Sequence, residues 1–115
     1  MAFIRTRPDL GAPDIEIIFL PVLRLNEGLT PPREHGFPLA SMLLQPRSRG
    51  RVTLKSRNPF HAHVLWTNHF SDPDGHDLTT IVEGLKIARQ STTASPLALF
   101  NNGEIVPGTA VDERR

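Results

Sequence analysis

Gln45-Pro-Arg-Ser-Arg-Gly-Arg-Val-Thr-Leu-Lys-Ser-Arg-Asn-Pro-Phe60 packs a proline stop, a turn and an alternating strand into one short stretch of a 115-residue chain. Pro46 ends the apolar run Leu39 to Leu44, since proline lacks the N–H that a strand ladder needs. Arg47-Ser48-Arg49-Gly50 supplies turn material. Beyond it Arg51, Thr53 and Lys55 alternate with Val52 and Leu54, the period of two of a half-buried strand with a basic outer face. Two strands joined by so short a connection predict a hairpin, hence antiparallel pairing.

Upstream, Ala2 to Thr6 reads as a short strand closed by Arg7-Pro8-Asp9. Ile15 to Leu20 is rich in β-branched residues and stops at Pro21, as a sheet-buried strand does. Its alternation puts Glu16 and Ile18 on one face and Ile17 and Phe19 on the other. Arg24 to Phe37 is dense in Gly and Pro and reads as a loop of about fourteen residues, a length that marks function or disorder.

Downstream, His61 to Phe70 alternates weakly, holds the single tryptophan, Trp66, and reads as irregular or edge-like. Ser71-Asp72-Pro73-Asp74-Gly75 then prepares a helix, with Asp72 placed to accept an orphan backbone N–H and Pro73 suited to the first helical position. Leu78, Ile81, Val82, Leu85 and Ala88 recur at helical spacing as one apolar stripe. Asp74 and Asp77 near the start and Lys86 and Arg89 near the end complement the helix dipole. The pattern fades over Gln90 to Thr93, Pro96 bars simple continuation, and Leu97 to Phe100 suits a short helical turn. The reading is an α+β fold: mostly antiparallel strands with one main amphipathic helix.

Composition narrows the function classes. A chain of this length forms one domain at most, burying roughly two-thirds of its unfolded surface. Eleven prolines and eight glycines favour a loop-rich, strand-containing body over a helical bundle. A formal net charge of +1 provides no global field toward nucleic acid or membrane. Without cysteine there is no disulfide, thiolate nucleophile or Cys-type zinc site. No apolar run approaches the ~20 residues of a membrane span, and Met1 to Leu10 is too polar for a secretory signal, so a cytoplasmic setting is expected. The abrupt ends suggest a piece of something longer.

Three clusters invite chemistry. Arg47, Arg49, Arg51, Lys55 and Arg57 could face phosphate, but no aromatic residues interleave to stack bases, so a solvated strand face accounts for them better and no nucleic-acid partner is expected. His61 and His63 would share a strand face near His69, yet no carboxylate stands at a metal-ligand spacing, and ordinary surface histidines explain them. Asp72, Asp74 and Glu83 imitate parts of a calcium loop, but Gly75 falls at the wrong place and helix capping explains the acids. No paired carboxylates, Ser/His/Asp arrangement or phosphate-cradling glycine loop emerges. The residues alone define no reaction.

The ordered set Phe3-Ile-Arg-Thr6, Pro13-Asp-Ile15, Pro32-Arg-Glu-His-Gly-Phe37, Pro46 to Leu54, Asn58-Pro-Phe60, Asn68, Ser71 to Leu78, Glu83-Gly-Leu85 and Ile87-Ala-Arg89 goes further. Together these resemble the substrate domain of the glucose-methanol-choline (GMC) flavoprotein oxidoreductases, especially the bacterial choline-dehydrogenase-like branch. The resemblance implies an FAD-dependent enzyme that oxidises an alcohol by hydride transfer to the flavin. It also implies an antiparallel sheet roofing the substrate cavity, with helices on its outer side.

It implies a fragment as well. The family's FAD-binding dinucleotide fold and its later His-Pro-x-Gly-Thr segment, which carries the catalytic histidine, have no counterpart within residues 1–115. Glu104, Val106-Pro-Gly108 and Asp112-Glu113 match the piece just upstream of that histidine. No catalytic, cofactor-binding or metal residue therefore carries over, and the fragment alone is expected to be inactive.

Choline-oxidising relatives place a histidine where Ile18 stands, which favours an alcohol less polar than choline; Ile18, with Glu16 on the same face, is the expected substrate lining. The relatives also continue as Pro-x-x-Asp-Pro-x-Tyr-Leu where this chain has His63, Trp66-Thr67, His69 and Phe70, so that crossover loses its rigid prolines. A stand-alone structural or binding module without redox activity, self-associating or pairing a strand with a partner, is the alternative.

Overall fold

The computed structural model describes residues 1–32, 34–108 and 111. At its centre is β2 (Ile15–Phe19), flanked by β1 (Ala2–Ile4) and β3 (Leu39–Leu43) in a three-stranded, fully antiparallel sheet. A separate two-stranded ribbon pairs β4 (Arg51–Thr53) with β5 (Val64–Trp66), so the segment expected to be edge-like does supply an edge strand. The long helix α1 (His76–Thr93) lies across β2 and β3, and the short helix α2 (Ser95–Ala98) follows it. The α+β class read from the sequence is the observed one.

Alternation in β2 decides where the core lies. Ile15 and Ile17 point at the helix and are buried with Ala88, while Ile4, Leu39, Leu43, Ile81 and Ile87 close around them. This core is small, and only Ile15 among its members is wholly excluded from water.

The expected hairpin is not formed. β3 pairs with β2 and β4 with β5, and the turn between them serves another purpose. The Leu44 N–H donates to the Asp14 carbonyl at 2.9 Å, keeping the chain beside β2. The N–H groups of Arg47 and Ser48 then donate to the two oxygens of Asp77, both at 2.8 Å, drawing the turn to the start of α1. Gly50 presses so closely on the Trp66 and Thr67 carbonyls that β4 is committed to β5. Arg51 lies 5.2 Å from the centre of the Trp66 ring, a cation–π contact across the ribbon. The half-buried strand face expected at Val52 and Leu54 is also absent: both are exposed, because no helix or strand among the described residues covers the ribbon.

Helix α1 forms where expected, but begins later and buries a different face. Pro73 lies in a turn closed by the Gly75 N–H on the Asp72 carbonyl, and Gly75, at φ 63°, is the left-handed residue preceding His76. Asp72 does receive an orphan amide, from Asp77 at 3.2 Å. The buried face is Asp77, Thr80, Gly84 and Ala88, with Ile81 and Ile87 beside it; Leu78 and Leu85 of the expected stripe are each 52% exposed. Gly84 is the reason for this rotation, since its missing Cβ admits the Ile15 side chain. The helix continues through Thr93 although its apolar pattern fades. There the hydroxyls of Ser91, Thr92 and Thr93 bond back to the carbonyls of Ile87, Arg89 and Gln90 and remain compatible with helical backbone.

Candidate substrate-facing surface

Among the described residues no helix or strand packs on the face of the sheet opposite α1. Register builds this face. Phe3 stands opposite Glu16 on one side, Met42 opposite Glu16 on the other, and Ala40 opposite Ile18. Directly opposed residues share a face, so Phe3, Ile18, Ala40 and Met42 form an apolar surface around the Glu16 carboxylate. Phe3 and Met42 are 59% and 48% exposed, whereas Glu16 and Ile18 are half-buried between the strands. Among the described residues the Glu16 carboxylate has neither a hydrogen bond nor an ion pair. Glu16 and Ile18 thus sit together on the open face, as their spacing predicts; Phe3 and Met42 were missed, because only cross-strand register reveals them.

Two buried carboxylates buttress the sheet. Asp14, at the entry to β2, accepts the Thr6 N–H at 2.8 Å and the Thr6 hydroxyl at 2.5 Å, closing the β1–β2 connection. Burial pushes its pKa up, but the Thr6 hydroxyl, the Thr6 and Asp14 amides and the charge of Arg7 outweigh that and hold it below the ordinary value. Asp77 is 1% exposed. Burial again opposes its ionisation, and the Arg47 amide, the Ser48 hydroxyl and amide and neighbouring His76 together lower its pKa. Ser48 Oγ in turn accepts the N–H groups of Ser71 and Asp72, tying the approach to α1 into the same network. At the far end of β2 the Phe19 and Phe37 rings stand 5.4 Å apart, joining the long 24–37 loop to the sheet.

The other clusters disperse. Asp72 is engaged with Asp77 and Ser48, Asp74 with Arg47, and Glu83 with Lys86, so these carboxylates serve separate partners. His61 Nδ1 meets Ser56 Oγ at 2.7 Å within a surface turn. Among the described residues no three His, Cys, Asp or Glu side chains converge as a metal site. Arg51 stacks on Trp66 while Arg47 and Arg49 face the β1–β2 connection, so the basic cluster is divided between two places. Among the described residues no helix is long and apolar enough to cross a membrane. Glu104 reaches back to Arg89 at 3.1 Å; Asp112 and Glu113 lie outside the described residues.

The sheet is thus covered by α1 on one face and presents an apolar surface around one carboxylate on the other. A family profile described as GMC oxidoreductase matches residues 46–115. An uncharacterized GMC-type oxidoreductase of Mycobacterium tuberculosis is 39% identical over 95 residues, 83% of this chain and 18% of the relative. An alcohol dehydrogenase [acceptor] of Pseudomonas putida is 36% identical over 109 residues, covering 95% of this chain and 19% of that protein. An oxygen-dependent choline dehydrogenase of Staphylococcus xylosus is 32% identical over 109 residues, with the same shares of 95% and 19%. The chain belongs to the GMC oxidoreductase family. It spans about a fifth of the length of the curated relatives it matches.

Proposed function

We propose that this chain is a segment of the substrate-binding domain of an FAD-dependent oxidoreductase that oxidises an alcohol, with the open face of β1–β2–β3 turned toward the substrate. The observation that carries the reading is that face: Phe3, Ile18, Ala40 and Met42 around one carboxylate, backed by a layer already sealed by α1. The names of the relatives, an alcohol dehydrogenase and choline dehydrogenases, support the reaction class. The accessible surface supports the segment reading: it is 9476 Å², against roughly 6,300 Å² for a folded monomer of 12.8 kDa.

FAD, when bound, supplies the hydride acceptor. The residues described here fit the substrate side of such a site, because an apolar wall with one carboxylate offers no cradle of N–H groups for a pyrophosphate. Ile18 excludes water and can neither donate nor accept a proton, which favours an alcohol with an apolar body over choline. Glu16 holds the polar position of the wall.

The test uses the longer enzyme in which this segment resides. Ile18→Asp is expected to raise KM for a primary aliphatic alcohol at least about tenfold with flavin content unchanged, because it places a charge against an apolar substrate. Val52→Asp, on the remote ribbon, is the control. Equal KM in the two variants would remove the sheet face from the substrate site. The isolated 115-residue chain is expected to purify without flavin absorbance, and a stoichiometric yellow cofactor would show that the flavin site lies within it.

A further inference from the structure

A cleft of about 880 Å³ lies between the β1–β2 connection, the segment after β3 and the first residue of α1. Its lining includes the basic residues Arg7, Arg47 and Arg49, with His76 and a single carboxylate, Asp14. Stretches distant in sequence meet here because buried groups pull them together. Asp77 fixes the Arg47 and Ser48 amides, and the Leu44 amide is fixed on the Asp14 carbonyl. The walls are thus held by hydrogen bonds that do not consume the arginine side chains.

The charges of this cleft are poorly balanced. Both Asp14 oxygens are already engaged by Thr6. Arg7 meets Asp9 at 3.8 Å and Arg47 meets Asp74 at 3.6 Å, and in both pairs each side chain is more than half exposed, so water screens them strongly. Arg49 meets no carboxylate among the described residues. One of its nitrogens donates to the Pro46 and Ser48 carbonyls, at 2.6 and 2.9 Å, which orients the guanidinium without neutralising it. A guanidinium oriented in this way, with two further arginines lining the same cleft, suits the capture of an oxyanion by charge-assisted hydrogen bonds. The volume suits a small molecule, and Leu10, Leu44 and Pro46 give the cleft an apolar part for an organic substituent.

We propose that this cleft binds a small phosphate-bearing anion through Arg7, Arg47 and Arg49. The site stands at the Asp14 end of β2, away from Ile18, and does not depend on the assignment of the open sheet face.

Inorganic phosphate is the probe, titrated into the longer enzyme in which this segment resides, selectively labelled at arginine, at constant ionic strength with chloride as the balancing salt. Arginine side-chain signals and the Arg47 and Arg49 amides are followed by NMR. A saturable shift is expected, and Arg7→Gln should weaken it about tenfold, the loss of one charge-assisted contact. The Arg7 side chain makes one exposed pair and adds only a minor charge effect on Asp14, whose oxygens are held by Thr6, so this variant keeps the fold even if Arg49→Gln loosens the turn. A linear drift equal to that in chloride, or phosphate affinity unchanged in Arg7→Gln, would overturn the proposal. A lipid headgroup carries the same chemistry, so the same longer enzyme is also sedimented with vesicles of phosphatidic acid in phosphatidylcholine. No enrichment over pure phosphatidylcholine is expected, and co-sedimentation without a shift in free phosphate would overturn the assignment to a small soluble anion.

Discussion

Asp77 joins three levels of the structure through one side chain. It is buried, its oxygens take the amides of a turn some thirty positions earlier in sequence, and its own amide is taken by Asp72. Its pKa in the folded chain lies below 3.8, as does that of Asp14, so each stabilises the fold fully above its unfolded pKa and loses that contribution as the pH falls through its lower folded value. Urea midpoints should therefore hold steady from neutral pH to about pH 5 and fall below about pH 4. Asp77→Asn, which turns an NH₂ toward amide donors, should lower the midpoint at pH 7 and flatten that acid slope; an unchanged slope would exclude Asp77 as its source. Gly84 is the second decisive residue. A Cβ there would lie 3.0 to 3.2 Å from the wholly buried Ile15. Gly84→Ala gains about 1 kcal/mol of helix propensity but overpacks Ile15 at a cost of roughly 1–3 kcal/mol, so a net loss of about 1 kcal/mol in denaturant melts is expected.

At the scale of elements, Gly50 holds the β4–β5 ribbon. A Cβ would collide with the Trp66 carbonyl oxygen and come within 2.7 Å of that of Thr67, backbone atoms that cannot swing aside. Gly50→Ala should open the ribbon, red-shifting Trp66 fluorescence while helix content by circular dichroism stays near that of the parent. Trp66 emission unchanged would mean that the ribbon tolerates the methyl group. The same glycine explains why strand pairing was misread. A short Arg-Ser-Arg-Gly link between two apolar runs is locally a hairpin signal, and nothing local reveals that Asp77 and the carbonyls after β5 compete for it. Helix α1 was legible because capping acids and 3.6-residue spacing are local. Its buried face was only partly legible: the apolar stripe held Ile81 and Ala88, but hydrophobicity also singles out Leu78 and Leu85, whereas packing selected the small Gly84 and the hydrogen-bonding Asp77. On the candidate site, alternation alone grouped Glu16 with Ile18. The partners Phe3 and Met42 needed the register, and the basic cleft needed Arg7 brought to Arg47 from across the sheet.

The whole molecule is extended for its length. Its radius of gyration is 17.7 Å, where a compact chain of 115 residues measures about 13 Å. Exposed Leu78, Leu85, Leu99 and Phe100 on the helical side, and Phe3 and Met42 on the sheet side, leave apolar surface on both outer layers. β1 and β3 are sheet edges, and both strands of the two-stranded ribbon are edges as well. Expressed alone, the chain should self-associate, with a sedimentation coefficient that rises with concentration. A concentration-independent monomer with one sharp melting transition would mean that the exposed surface is tolerated without a cover.

The carboxylate of Asp77 also predicts which amides hydrogen exchange will find protected. Arg47 and Ser48 lie outside any strand ladder, where amides ordinarily exchange within seconds to minutes. Because their N–H groups end on a side chain of α1, they can open only when the helix start releases Asp77. They should exchange in step with the first turns of α1 and more slowly than the ladder amides of the exposed β4–β5 ribbon, marking loop and helix as one opening unit.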